Sequence, residues 1–162
     1  FILITILVAS RLIPHPSNFT PIIAAAIISG TIFKNFYLAI LSLFLSMLIS
    51  DLYLGFHDTI FYTYFALFVI ILLFRMRMQK INAINTLAYG FIGSTIFFLI
   101  SNFGVWLSEG LYSKDIKGLI ECYYLAIPFF GNTLLSTFFF IYLSLLAAVI
   151  MNRFNFRNNQ NI

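Results

Sequence analysis

Four stretches hold most of the side chains able to do chemistry: Arg11-Leu12-Ile13-Pro14-His15-Pro16-Ser17-Asn18-Phe19-Thr20-Pro21, Ser50-Asp51-Leu52-Tyr53-Leu54-Gly55-Phe56-His57, Asn102-Phe103-Gly104-Val105-Trp106, and Cys122-Tyr123-Tyr124-Leu125-Ala126-Ile127-Pro128-Phe129-Phe130-Gly131-Asn132. Together they contain both histidines, the only tryptophan and all four prolines. Such residues offer acid–base or metal chemistry, a hydrogen-bonded ligand site, or pairing with one another. The spacings weigh against the first. His15, His57, Asp51, Asp58, Glu121 and Cys122 fit no zinc motif such as HExxH, and the serines have no GxSxG elbow. The lone Cys122 excludes an internal disulfide and a CxxC site. We therefore assign no catalytic residue, no metal ligand and no cofactor. Asp51 needs a partner, because an unpaired carboxylate in hydrocarbon costs roughly 2.5–3.5 kcal/mol on insertion scales. Arg11 is the natural one, whether as a structural clamp or beside a ligand. The candidate substrate-binding set is His15, Asn18, Phe19, Asp51, His57, Asn102, Trp106, Tyr123 and Asn132. Helix capping is the plain alternative for Asn102 and Asn132, and a headgroup-level aromatic belt for Trp106 and Tyr123.

The elements that must position these residues are apolar. The chain is 62% hydrophobic and 9% charged, against about 45–50% and about 25% in soluble domains. So much apolar surface calls for lipid as its solvent. The nine Lys and Arg are scattered at the ends of apolar runs, which argues against nucleic acid as a partner. The pattern predicts a single all-α integral membrane domain over residues 1–152, a six-transmembrane-helix bundle. Its helices are expected at 1–13, 21–33, 36–53, 60–74, 84–103 and 128–151, with a polar, disordered tail at 153–162. The first run is short against the ~20 residues a span needs, so the first helix reads as N-terminally truncated. Residues 115–127 place Ile116, Leu119, Ile120 and Tyr123 at helical spacing and predict a separate interfacial helix. Ala39, Ser42, Ser46 and Ser50, and then Thr86, Gly90 and Ser94, form small-residue stripes expected to be packing seams. Gly55 and Gly104 are expected to end the third and fifth helices.

Charge sets the expected orientation. With six helices, one face collects Lys34, Arg75, Arg77, Lys80, Arg153 and Arg157 and no acid. The other collects Arg11, Lys114 and Lys117 with Asp51, Asp58, Glu109, Asp115 and Glu121. Cation excess marks the inside, so both termini are expected in the cytoplasm, with the chain multi-pass in the cell's inner (plasma) membrane.

Arg11 to Ile22, Ser50 to His57, Asn102 to Trp106 and Ala126 to Thr133 resemble an uncharacterised bacterial membrane family. That family is grouped with the substrate-binding S components of energy-coupling-factor (ECF) vitamin transporters. The resemblance implies a six-helix protein that binds a small vitamin-like molecule near its outer face and topples to release it inward. It also implies partners: the bilayer, a transmembrane coupling subunit and ATPase subunits. No GxxxxGK[ST] loop is present, so ATP hydrolysis would fall to those partners. Of the alanine pattern that S components carry on their first helix, only Ala9 and Ser10 remain. Three functions follow as expectations: nutrient binding for uptake, a membrane-embedded enzyme using His15, His57 and Asp51, or a structural and assembly protein.

Overall fold

Proline, glycine and short polar residues divide the apolar chain into six helices. The computed structural model describes residues 2–32, 35–77 and 83–159; the expectations at Lys34 and Lys80 lie outside them. The helices are α1 (Ile2–Leu12), α2 (Ile22–Ile32), α3 (Phe36–Leu54), α4 (Ile60–Arg77), α5 (Ala83–Ser108) and α6 (Ile116–Asn159). α2 starts directly after Pro21, whose carbonyl accepts from Ala25 N at 2.8 Å. Asn35 caps α3 by accepting Tyr37 N at 2.9 Å. Gly55 ends α3 at φ +95°, a conformation open to glycine, and its N–H donates to the Asp51 carbonyl at 2.9 Å.

Three boundaries differ from the sequence-based reading by more than a turn: the end of α5 and both ends of α6. α5 runs past Gly104 to Ser108. Gly104 is not a stop signal but a close approach: a Cβ there would lie 2.4 Å from the Tyr62 ring of α4. α6 is one helix through Pro128, so residues 115–127 are not a separate element, and the helix continues through Asn159 of the polar tail. A proline removes one backbone donor and strains the turn before it. Membrane helices tolerate this where packing holds both flanks, and here Cys122 and Ala126 before it and Thr133 and Thr137 after it are all buried.

The core forms around α2. Ile22, Ile23, Ala24, Ala26, Ile27 and Ile28 are all buried, and the helix touches α3, α4, α5 and α6. At 1.5 Å per residue it covers about 16 Å, roughly half of a ~30 Å hydrocarbon layer. α1 packs on α3, and α5 lies between α4 and α6. The small-residue stripes lie in these contacts: Ala39, Ser46 and Ser50 are buried, and Ser94 Oγ donates to Thr137 Oγ1 across α5 and α6 at 3.1 Å. Ser42 and Ser46 bond back to their own helix, to the carbonyls of Ala39 and Ser42 at 3.0 and 2.6 Å. That leaves neither of these two hydroxyls stranded in the seam.

Three helical stretches are long and apolar enough to cross a membrane: Phe36–Leu54, Asn85–Ser108 and Ile116–Ile150. Their outward faces, with that of α4, display large apolar side chains such as Leu41, Leu45, Leu48, Phe61, Phe65, Phe91 and Leu143. Water-soluble surfaces rarely present such continuous apolar faces, which suggests a membrane protein.

Candidate chamber and the ion-pair knot beside it

The three helix connections expected on one face meet at one end of the bundle. His15, Asn18 and Thr20 from the α1–α2 connection, Leu54, His57 and Thr59 around the α3–α4 turn, and Glu109, Leu111 and Tyr112 from the α5–α6 connection all line one chamber of about 650 Å³. Its floor and walls come from Ile22 and Ile23 of α2, Thr63 and Leu67 of α4, Phe97, Ser101 and Asn102 of α5, and Cys122, Ala126, Phe129 and Thr133 of α6. The lining divides about evenly between apolar side chains and polar ones, the latter mostly hydroxyl, amide and imidazole groups.

Beside the chamber lies a knot of charged and polar groups. Arg11, at the end of α1, lines the chamber and reaches α3. Its Nη2 lies 2.6 Å from Asp51 Oδ1, and Asp51 is only 1% exposed. Arg11 is Oδ1's one partner among the described residues, an ion pair rather than an aligned hydrogen bond. Tyr64 of α4 donates its hydroxyl to the other oxygen, Oδ2, at 2.8 Å. Arg11 Nη1 donates to Ser50 Oγ and to the Met47 carbonyl, the latter at 3.2 Å. One guanidinium thus ties α1 to α3, and the tyrosine brings in α4. The fork geometry of arginine suits this better than a lysine would.

Within the chamber, the His15 Nδ1 lies 2.8 Å from the Pro16 carbonyl, which makes that nitrogen the donor. His57 Nδ1 lies 3.4 Å from Thr59 Oγ1. Asn102 donates through Nδ2 to the Phe98 carbonyl at 2.8 Å, and its backbone carbonyl accepts Cys122 Sγ at 3.4 Å. Its side-chain oxygen makes no hydrogen bond among the described residues.

Of the nine candidates, His15, Asn18, His57 and Asn102 share the chamber. The other five stand around it. Asp51 is sealed in the knot. Phe19 rests against Phe139 and Phe140 of α6, with ring centroids 6.2 and 6.0 Å away. Asn132 donates to the Ser17 carbonyl at 3.0 Å, and Ser136 to that of Asn18 at 3.3 Å. These contacts strap the first connection onto α6, with Asn18 held at φ +61°. Trp106 Nε1 donates to the Ser113 carbonyl at 2.9 Å, while Lys114 sits 5.6 Å over the indole ring and donates to the Trp106 carbonyl. Tyr123 donates to the Leu99 carbonyl at 2.6 Å. Phe19, Trp106, Tyr123 and Asn132 therefore hold elements in place around the opening.

Sequence reasoning passed over Thr59, Thr63, Ser101, Glu109, Tyr112 and Thr133. A signal existed: Thr59, Thr63 and Leu67 recur every four residues, as do Phe97, Ser101, Val105 and Glu109, while Cys122, Ala126, Phe129 and Thr133 follow one face of a continuous helix. Periodicity finds such a face but cannot tell a cavity from a packing seam. The last stripe also required α6 to continue through Pro128.

The α5–α6 connection is internally ordered. Asp115 accepts Gly118 N at 2.8 Å and the Ser113 hydroxyl at 2.7 Å, capping α6. The Gly118 N–H and then the Ser113 hydroxyl hold its carboxyl below the usual carboxylate range. Burial, with the nearby Cys122, Glu121 and Glu109, pushes the Tyr112 phenol up, so it stays a neutral hydroxyl. Among the described residues no three His, Cys, Asp or Glu side chains come together as a metal site.

Residues 1–158 match a family described as "Family of unknown function (DUF6580)". No curated protein and no solved structure matches the chain.

Proposed function

The chain belongs to that family of unknown function, DUF6580, and from its geometry we propose a membrane-embedded binding protein for a small organic nutrient. In this reading the chain is the substrate-binding part of an uptake system, similar in role to an ECF S component. It crosses the plasma membrane six times with both termini in the cytoplasm, and a transmembrane coupling subunit and ATPase subunits drive release. The carrying observation is the chamber of about 650 Å³ whose lining mixes apolar side chains with hydroxyl, amide and imidazole groups, inside the ~300–1,000 Å³ range of ligand pockets. The charge segregation in the sequence supports the orientation, as does the meeting of alternate helix connections at one mouth.

The test is mass spectrometry of small molecules retained by the purified full chain, together with thermal shifts across a vitamin and nucleobase panel. A retained compound that is lost from Asn102→Ala and His57→Ala is the expected result. Nothing retained and no shift across the panel would overturn the reading, and co-purified ATPase subunits would extend it to transport.

A further inference from the structure

The chamber wall has a charge, and that charge selects the class of ligand. Among the described lining residues only Arg11 and Glu109 carry formal charge, with the histidines counted as neutral at pH 7. Arg11 is already committed: its charge is cancelled by Asp51 at 2.6 Å, and its other amino group bonds Ser50 and Met47. Glu109 is different. It is exposed at the mouth, its backbone N–H continues the helix to Val105, and among the described residues it makes no ion pair. Lys114 sits nearby in sequence but is engaged by Trp106 and does not line the chamber. The sum over the wall and its backing is +1 from Arg11, −1 from Asp51 and −1 from Glu109, with +1 from Lys114 and −1 from Glu121, which act on the lining Cys122 and Tyr112, a net of −1.

Among the described lining residues an anionic ligand would find no uncompensated cation, and it would face a carboxylate at the entrance. Desolvating an anion without a charged partner is among the most expensive steps in binding. A cation or a neutral hydrogen-bonding molecule meets acceptors instead: Glu109 and the Asn102 side-chain oxygen. Building on the binding role above, we infer that the chamber takes a cationic or neutral organic molecule rather than a carboxylate or phosphate. Glu109 is the residue that sets this preference.

The charge can be read without knowing the ligand. In the full chain with Cys122→Ser, a reporter thiol is placed in the chamber by Ser101→Cys and separately by Thr63→Cys, so that misfolding of one leaves the other. Each is reacted with trimethylammonium-ethyl and sulfonato-ethyl methanethiosulfonate at one fixed, mildly alkaline pH, where thiols react readily. The cation-to-anion rate ratio, relative to that on 2-mercaptoethanol, should rise on the order of three- to tenfold, as for one nearby charge in a wet, partly screened cavity. Glu109→Gln should return it toward the reference. A ratio at or below the reference at both sites, or one unmoved by Glu109→Gln, would overturn the inference. If the compound retained by the purified protein is an anion, the charge preference fails while the binding role stands. A cation-favouring chamber that retains nothing leaves the wall charge standing and removes the binding role.

Discussion

Arg11 stands between two regions that treat polar groups in opposite ways. On one side is the knot, where the guanidinium meets Asp51, Ser50 and the Met47 carbonyl, and Tyr64 supplies the second carboxylate oxygen. On the other side is the chamber, where the Asn102 side-chain oxygen and the Glu109 carboxylate have no hydrogen-bond or ion-pair partner among the described residues. The two regions share one end of the bundle, yet their polar groups do different jobs. Saturated groups hold helices together, because breaking one member leaves a buried charge uncompensated. Unsaturated groups around a cavity are available to something that enters it. Partnership, more than residue type, separates the two.

That contrast can be tested by removing partners one at a time. The largest effect is expected from Asp51→Asn, which keeps the side chain's shape and removes its charge. It should cost about 3 kcal/mol of stability, because the half-buried Arg11 loses its counter-ion, with lower yield and a lower midpoint of thermal unfolding in detergent. Wild-type stability in this variant would erase the distinction between knot and chamber. Tyr64→Phe removes one hydrogen bond to the same carboxylate and should cost about 1.5–3 kcal/mol in the same assay.

Asn102→Ala should show the reverse pattern: retention of the co-purifying compound weakened about tenfold, equivalent to about 1.4 kcal/mol, with the unfolding midpoint near that of the wild type. Loss of stability instead would move Asn102 into the class of the knot. The smallest effect is at Asp115, whose carboxyl is held below the usual range by Gly118 N–H and Ser113. A depressed folded pKa means that its contribution is complete above the unfolded value of about 3.9 and is lost as pH falls through the folded value. Hydrogen exchange in the first turn of α6 should therefore quicken in that acid window, and Asp115→Asn should flatten the response.

Much of the helical plan was legible because its signals are local. Apolar runs longer than a turn or two, Asn35 before α3 and Gly55 after it act within a few residues of one another. Gly104 and Pro128 misled for the same reason. Each is read as a breaker in isolation, while Tyr62 packs against the bare backbone at one and buried neighbours on both sides hold the helix through the other. The candidate site divided along similar lines. His15, Asn18, His57 and Asn102 share the chamber, but the same reasoning favoured Trp106, Tyr123 and Asn132, each of which donates to a backbone carbonyl outside it.

Sequence by itself determined that the chain is helical and apolar enough for lipid, that its reactive side chains cluster in alternate helix connections, and that Asp51 needs a cation. These follow from composition, local propensity and the cost of an unpaired charge, none of which needs a fold. Only the tertiary structure decided that α2 is the buried centre, that Tyr64 completes the knot, and that Glu109 guards the mouth of a chamber whose one cation among the described lining residues, Arg11, is already paired. Each of these depends on which helix faces which. A short apolar segment has the same pattern whether its neighbours are lipid or other helices, and a carboxylate's partner can lie forty residues away in the chain.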